Sequence, residues 1–115
     1  MASDFDIINL KEGMPRAEQA IKKLTWHIHA KKQMGVKVVK VIHGYGSSGA
    51  GGSIRVKSRA YLDSLQQRGV IRAFVPGEQF SIFDAGTRTL LDTCPQLRQD
   101  SALERHDNGV TIIVI

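Results

Sequence analysis

The stretch VKVVKVIHGYGSSGAGGSIRVKSRAYL, residues 36–62, decides the fold of this chain. It opens with Val36–Ile42, a short β-branched run between glycines, which predicts a buried strand. A glycine-rich loop begins at His43, and from Ile54 to Arg68 the apolar residues return at helical spacing. A strand, a loop and a helix in this order indicate one unit of an α/β fold.

The same two periodicities continue on both sides of this unit. The predicted elements are, in order, a strand at Asp6–Leu10, a helix at Arg16–Met34 that Pro15 opens, a strand at Val36–Ile42, a helix at Ile54–Arg68, a strand at Val70–Val75, a short helix at Asp84–Thr93 and a strand at Val110–Ile115. The last run, VTIIVI, is apolar throughout, which is typical of a strand buried on both faces. The alternation predicts a partly parallel sheet.

Length and composition narrow the class of protein. A chain of 115 residues is the size of one domain, residues 1–115, and buries enough surface to need no disulfide or metal. No apolar run is long enough to cross a membrane, the N-terminus lacks the pattern of a signal peptide, and Cys94 has no second cysteine to pair with. These features predict a cytoplasmic protein without a membrane segment, a metal or a cofactor.

Charge is distributed unevenly along the chain. Residues 1–59 hold eleven Lys and Arg against four Asp and Glu, a net charge of +7, whereas residues 60–115 hold five against seven, a net charge of −2. The basic half contains the glycine-rich loop. A basic surface favours a polyanionic partner such as nucleic acid, and a lysine-rich solvated surface is the alternative interpretation.

The loop itself matches two nucleotide-binding motifs only in part. Residues 44–49 fit G-x-G-x-x-G after a strand, but the helical spacing starts only at Ile54 and the next predicted strand, VIRAFV, carries no acidic residue. A P-loop motif counted from Gly46 requires lysine at position 52, where this chain has Gly52. Neither a dinucleotide site nor a P-loop is therefore predicted.

A phosphate-backbone site accounts better for the residues around the loop. Cations in the first turns of a helix oppose its macrodipole, so their presence favours a bound anion that backbone N–H groups and side chains hold together. Tyr45 has the ring to stack on an unpaired base, or is simply exposed. The candidate binding residues are Gly44, Tyr45, Gly46, Ser47, Ser48, Arg55, Lys57 and Arg59.

His43 has two interpretations. At the end of a strand, a neutral imidazole near a phosphodiester can act as a general base towards an RNA 2′-hydroxyl or as a general acid towards the leaving oxygen. Alternatively its ring forms hydrogen bonds to the backbone and orders the loop. No metal is expected at the other histidines, since His27 and His29 face different sides of a helix.

The whole pattern resembles the Smr (small MutS-related) domain family, in which a strand ends in His-Gly-x-Gly-Ser/Thr. His43, Gly44, Gly46 and Ser47 match that motif, KEGMPRAEQAIKKL resembles the first helix of the family, and NGVTIIVI its last strand. The resemblance implies a two-layer βαβαββ sandwich with a mixed four-stranded sheet, similar to the C-terminal domain of bacterial translation initiation factor three. It also implies nucleic-acid binding, with endonuclease or nicking activity in some members.

Two departures from the family lead to three hypotheses. Many members carry Leu-Asp-x-His-Gly after the first strand, and here Asn9 and Lys11 stand at the Asp and His positions, although lysine still binds phosphate. Residues 84–108 are longer than the usual hairpin, so they form a surface for a protein partner or a lid on the core. We therefore expect a nucleic-acid-binding domain whose cleavage, if any, is weak and depends on His43, an endonuclease that uses His43 with Lys11, or a protein-interaction module built on residues 84–108.

Overall fold

The computed structural model describes residues 4–13, 15–44 and 50–115, with the backbone alone for residues 50–53. The elements are β1 (Phe5–Asn9), α1 (Ala17–Gln33), β2 (Val38–Ile42), α2 (Ala50–Gln67), β3 (Ala73–Pro76), α3 (Ala85–Thr93) and β4 (Val110–Val114), with short 3₁₀ turns at Gly77–Gln79 and Pro95–Gln99. Within the described ranges, no helix is both long enough and apolar enough to cross a membrane.

The four strands form one mixed sheet in the order β1-β2-β4-β3. β1 and β2 are parallel, and β4 runs antiparallel to both β2 and β3, as the alternation of elements predicts. Because β1 and β2 are parallel, they end at the same edge of the sheet, at Asn9 and Ile42. We call this the carboxyl edge, and α1 and α2 both follow from it.

Helices α1 and α2 cover one face of the sheet. Their apolar stripes bury Leu24, Ile28, Ile54 and Leu62 against strand residues that include Val39. The helical spacing in the sequence therefore identified the two core-facing stripes correctly. The surface that α1 turns away from the sheet stays exposed.

The other face of the sheet is covered by residues of the 84–108 segment. Leu90, Leu91 and Leu97 are buried there with Cys94, against sheet residues that include Ile112. The segment therefore adds a further layer to the βαβαββ core, and we call it the lid. Cys94 has a packing role in this layer.

An ion pair fixes the lid to the middle of the sheet. Lys40 of β2 is 8% exposed, and its Nζ lies 3.0 Å and 3.3 Å from the two carboxylate oxygens of Asp100. The same carboxylate accepts a hydrogen bond from the N–H of Ala102, 2.8 Å away. A charge on a buried strand face is thus matched by the segment that covers it.

Helix α2 begins four residues earlier than the apolar spacing predicts. The spacing places the start at Ile54, whereas the helix starts at Ala50 and includes Gly51 and Gly52. Each glycine costs a helix about 1 kcal/mol relative to alanine, and burial of Ile54 and Leu62 further along offsets that cost. The helix is therefore not delayed, and its start does not argue against a dinucleotide site. The sheet order does argue against such a site, because antiparallel β4 separates β2 from β3.

Other boundaries shift because helix ends extend into the predicted strands. Gly69 adopts φ +76°, and the N–H of Val70 then bonds to the carbonyl of Leu65, so β3 begins at Ala73. Val36 bonds back to α1 in the same manner, and β2 begins at Val38. Pro15 lies before the N-cap residue of α1, so the expectation that it opens the helix is wrong.

Candidate functional site

The carboxyl edge brings Lys11 and His43 to neighbouring positions. Leu10 donates a backbone hydrogen bond to Ile42, 2.8 Å away, which continues the parallel pairing one residue beyond β1. The alkyl chain of Lys11 consequently lies beside Gly44, with its Cδ 3.7 Å from the place where a Cβ of Gly44 would be. Lys11 is exposed, so its ammonium group meets solvent at the base of the glycine-rich loop.

Asn9 shapes the turn that carries Lys11. Its side-chain oxygen accepts hydrogen bonds from the N–H groups of Lys11 and Glu12, at 3.1 Å and 3.2 Å. This is an Asx-type turn, which asparagine forms as readily as aspartate. Asn9 thus holds the backbone beneath Lys11.

His43 is fully buried at the end of β2. Its N–H and that of Gly44 both donate to the carbonyl of Gly109, 3.0 Å away in each case. Its Nδ1 lies 3.0 Å from the carbonyl oxygen of Gly44, which only accepts, so Nδ1 carries the proton. Nε2 therefore accepts from the hydroxyl of Thr111, 2.9 Å away. Gly44 itself has φ +84°, a conformation that favours glycine.

Arg59 completes this network from helix α2. Its Nε lies 3.4 Å from the Thr111 hydroxyl oxygen, and its guanidinium makes two hydrogen bonds to Glu78, at 2.7 Å and 2.6 Å. The hydrogen bonds in this chain all have the same direction. Arg59 donates to Thr111, Thr111 donates to His43, and His43 donates to the carbonyl of Gly44. Burial raises the pKa of Glu78, but the hydrogen bonds from Arg59, a backbone hydrogen bond and the charges of Arg59 and Arg55 together outweigh burial, so the pKa is lowered.

The surroundings of His43 keep its ring neutral. Burial lowers its pKa below 6.5, and the charges of Arg59 and Arg55 lower it further, against the opposing hydrogen bond to Gly44 and the charge of Glu78. Both ring nitrogens are occupied in this neutral form. General acid or base catalysis needs a nitrogen that reaches the substrate, so the arrangement favours the interpretation in which His43 orders the loop.

The lowered pKa of His43 predicts that stability falls in mild acid. The unfolded chain binds a proton on His43 near pH 6.5 while the folded chain does not, so this contribution is complete above pH 6.5 and decreases below it. Urea unfolding from about pH 8 to about pH 5 should show a steeper loss for the wild type than for His43→Gln. If stability fell with pH equally in both proteins, the lowered pKa of His43 would be contradicted. His27, whose pKa burial also lowers, contributes equally to both proteins.

The predicted cations on α2 have different environments. Arg55 is half-buried near His43 and Glu78, and Lys57 is exposed, with its Nζ 3.9 Å from a carboxylate oxygen of Glu18 on α1. Because α2 begins at Ala50, Arg59 lies in the third turn and is committed to the internal network. Tyr45, Gly46, Ser47 and Ser48 lie outside the described residues.

Sequence reasoning did not find three members of this network. Thr111 could have been found from the sequence, since it is the one polar residue in the apolar run VTIIVI. Glu78 and Gly109 could not, because only the tertiary fold brings them next to Arg59 and His43. Among the residues that the structure describes, there is no group of three or more His, Cys, Asp or Glu able to hold a metal ion.

Comparison with known proteins gives one match. A family model described as the Smr domain matches residues 9–81, more than half of the chain. The matched part contains Lys11, His43 and Arg59, whereas α3 and β4 lie beyond it. No curated protein and no solved structure matches. The similarity to the C-terminal domain of translation initiation factor three stays a prediction.

Proposed function

This chain belongs to the Smr domain family, and from that premise we propose that it binds nucleic acid at the carboxyl edge. The observation that carries the proposal is the exposed ammonium group of Lys11 beside Gly44, at the base of the glycine-rich loop. A lysine in this position meets a phosphate as a point charge. Gly44, with φ +84°, starts the glycine-rich loop at this point.

Further positive charge supports this location. The N-termini of α1 and α2 follow the carboxyl edge, and each carries a partial positive charge. Arg55 acts on His43 and Glu78 electrostatically, so its charge lies near the same edge. Gly46, Ser47 and Ser48 belong to the proposed contact surface together with Tyr45 and Lys57. Arg59 supports the site by its ion pair with Glu78 and is not proposed to contact phosphate.

We propose binding without efficient cleavage. His43 has both ring nitrogens in hydrogen bonds and no exposed surface. Asn9 replaces the family's first-strand aspartate and is used in a turn. An endonuclease that uses His43 with Lys11 would have to break the bond to Thr111 first. The protein-interaction hypothesis has less support, because the 84–108 segment is explained by its packing on the sheet.

A charge reversal at Lys11 tests the binding proposal. Lys11→Glu should bind labelled single-stranded RNA and DNA about tenfold more weakly, with a salt slope shallower by about one, because one phosphate contact is lost. The matched control is Lys37→Glu, which makes the same charge change at an exposed position before β2, at the opposite edge of the sheet. Affinity measured by fluorescence anisotropy over a range of salt concentrations should barely change in the control.

Two results would count against the proposal. Equal losses in Lys11→Glu and Lys37→Glu would mean that only net charge matters, and no binding by the wild type at low salt would remove the function altogether. Incubation with labelled RNA and supercoiled plasmid tests the statement on cleavage. Efficient cleavage that disappears in His43→Gln while binding persists would make His43 a catalytic residue.

A further inference from the structure

Helix α1 presents a tryptophan to solvent. Trp26 is the one tryptophan of the sequence, and 67% of it is exposed. The stripe that faces the core contains Ala20, Leu24 and Ile28, and at 100° per residue Trp26 lies on the opposite side of the helix. A large aromatic side chain at such a position contributes nothing to the core and remains available for contact with another molecule.

The surroundings of Trp26 are basic. Helix α1 carries one acidic residue, Glu18, against Lys22, Lys23, Lys31 and Lys32. Lys22 lies one turn before Trp26 and His29 nearly one turn after it, and both are exposed. An apolar or basic partner would not complement this charge. A polyanion that also offers flat rings complements both features.

The ring of Trp26 is held by its neighbour. The His27 ring packs against it in an edge arrangement, with the ring centroids 5.0 Å apart and the planes at 87°. This contact limits the motion of the indole while leaving most of it open. An aromatic ring that is fixed before binding loses less entropy when a ligand stacks on it.

Helix α1 is also connected to the carboxyl edge. Lys23, three residues before Trp26, donates a hydrogen bond from its Nζ to the backbone carbonyl of Asn9, 2.9 Å away. Asn9 in turn holds the turn beneath Lys11. The surface of α1 that surrounds Trp26 is therefore continuous with the site of the proposed function.

We propose that Trp26 is a stacking platform for an unpaired base, so that the ligand at the carboxyl edge is single-stranded nucleic acid. This inference rests on the proposed function. Bases in a duplex stack on one another and present only their edges in the grooves, whereas an unpaired base presents a face to an aromatic side chain. Phosphate contacts at Lys11 do not distinguish the two forms, and Trp26 does.

The fluorescence of Trp26 provides the test, because Trp26 is the one tryptophan of the sequence and excitation at wavelengths that tyrosine does not absorb selects it over Tyr45 and Tyr61. Oligothymidylate and oligouridylate should quench it, and a duplex of the same length should not. Trp26→Ala should weaken the binding of single strands by roughly tenfold or more, leaving duplex affinity and the salt slope unchanged. Trp26→Phe should keep most of the affinity. The control Phe83→Ala removes an aromatic side chain that is 87% exposed in the loop before α3, and should change nothing.

The outcomes separate this inference from the function on which it rests. If the wild type binds and Lys11→Glu weakens binding, but Trp26→Ala has full affinity for single strands, the stacking role is overturned and the proposed function stands. Self-association that is lost in Trp26→Ala with unchanged oligonucleotide affinity would likewise overturn it. Absence of any binding would remove both.

Discussion

Replacing Gly77 with alanine should destabilise the fold by about 3–5 kcal/mol, a large part of the stability of a domain of this size. Gly77 is buried after β3, and a Cβ there would overlap the carbonyl oxygen of Asp107 and lie 2.6 Å and 2.7 Å from two atoms of Val110. Two of these atoms belong to the backbone, so no rotation of a side chain relieves the overlap. The turn after β3 would have to move away from the start of β4.

The matched control for this substitution is Gly86→Ala in the first turn of α3. A Cβ at Gly86 would lie 3.2 Å from the carboxylate of Asp84 and 3.6 Å from Val75, both side-chain atoms. Alanine also favours the helix by about 1 kcal/mol, so the change should be small. Urea unfolding of the three proteins measures both effects. A Gly77→Ala variant as stable as Gly86→Ala would show that the turn after β3 does not pack this closely against the start of β4.

Lys40→Met should destabilise the protein by about 3–5 kcal/mol. Methionine keeps the length of the side chain but leaves the largely buried carboxylate of Asp100 without its cation. The lid would then have to admit water or move away from the sheet. Thermal or urea unfolding measures the loss, and faster hydrogen exchange in residues 94–106 should accompany it.

Two further variants separate the ion pair from general damage at Lys40. The double variant Lys40→Met/Asp100→Asn removes the uncompensated charge but keeps an oxygen for the N–H of Ala102, and should recover part of the loss. Arg98→Met breaks an exposed pair with Asp92, at 3.8 Å, and should cost less than about 0.5 kcal/mol. A Lys40→Met variant as stable as Arg98→Met would contradict the role of the pair.

Local patterns explain which parts of the fold are readable in the sequence. The apolar run VTIIVI predicts a strand buried on both faces, and β4 lies in the interior of the sheet with helices on both sides. The order β1-β2-β4-β3 is not readable, because it depends on contacts between distant residues. The position of the lid is hidden for the same reason. Leu90, Leu91 and Leu97 indicate an apolar face without indicating the surface that it covers.

The site divides in the same way. The position of His43 after a β-branched run is local information, and it predicts the end of β2 correctly. The hydrogen bonds of its ring and of its backbone N–H are not local information, since their partners Thr111 and Gly109 lie far along the chain. Arg59 looks like a free cation in the sequence for that reason. Only the fold reveals that the guanidinium of Arg59 is already paired with Glu78.

The place of β4 in the sheet has a consequence for synthesis. β4 is the last strand in chain order, yet it lies between β2 and β3 and is the only described strand that joins them. While the ribosome is still making residues 77–109, β3 has no strand to pair with and β2 keeps an open edge, which is the kind of surface that associates with other chains. β1 and β2 can pair before that point, but β3 joins the sheet only after β4 has been made.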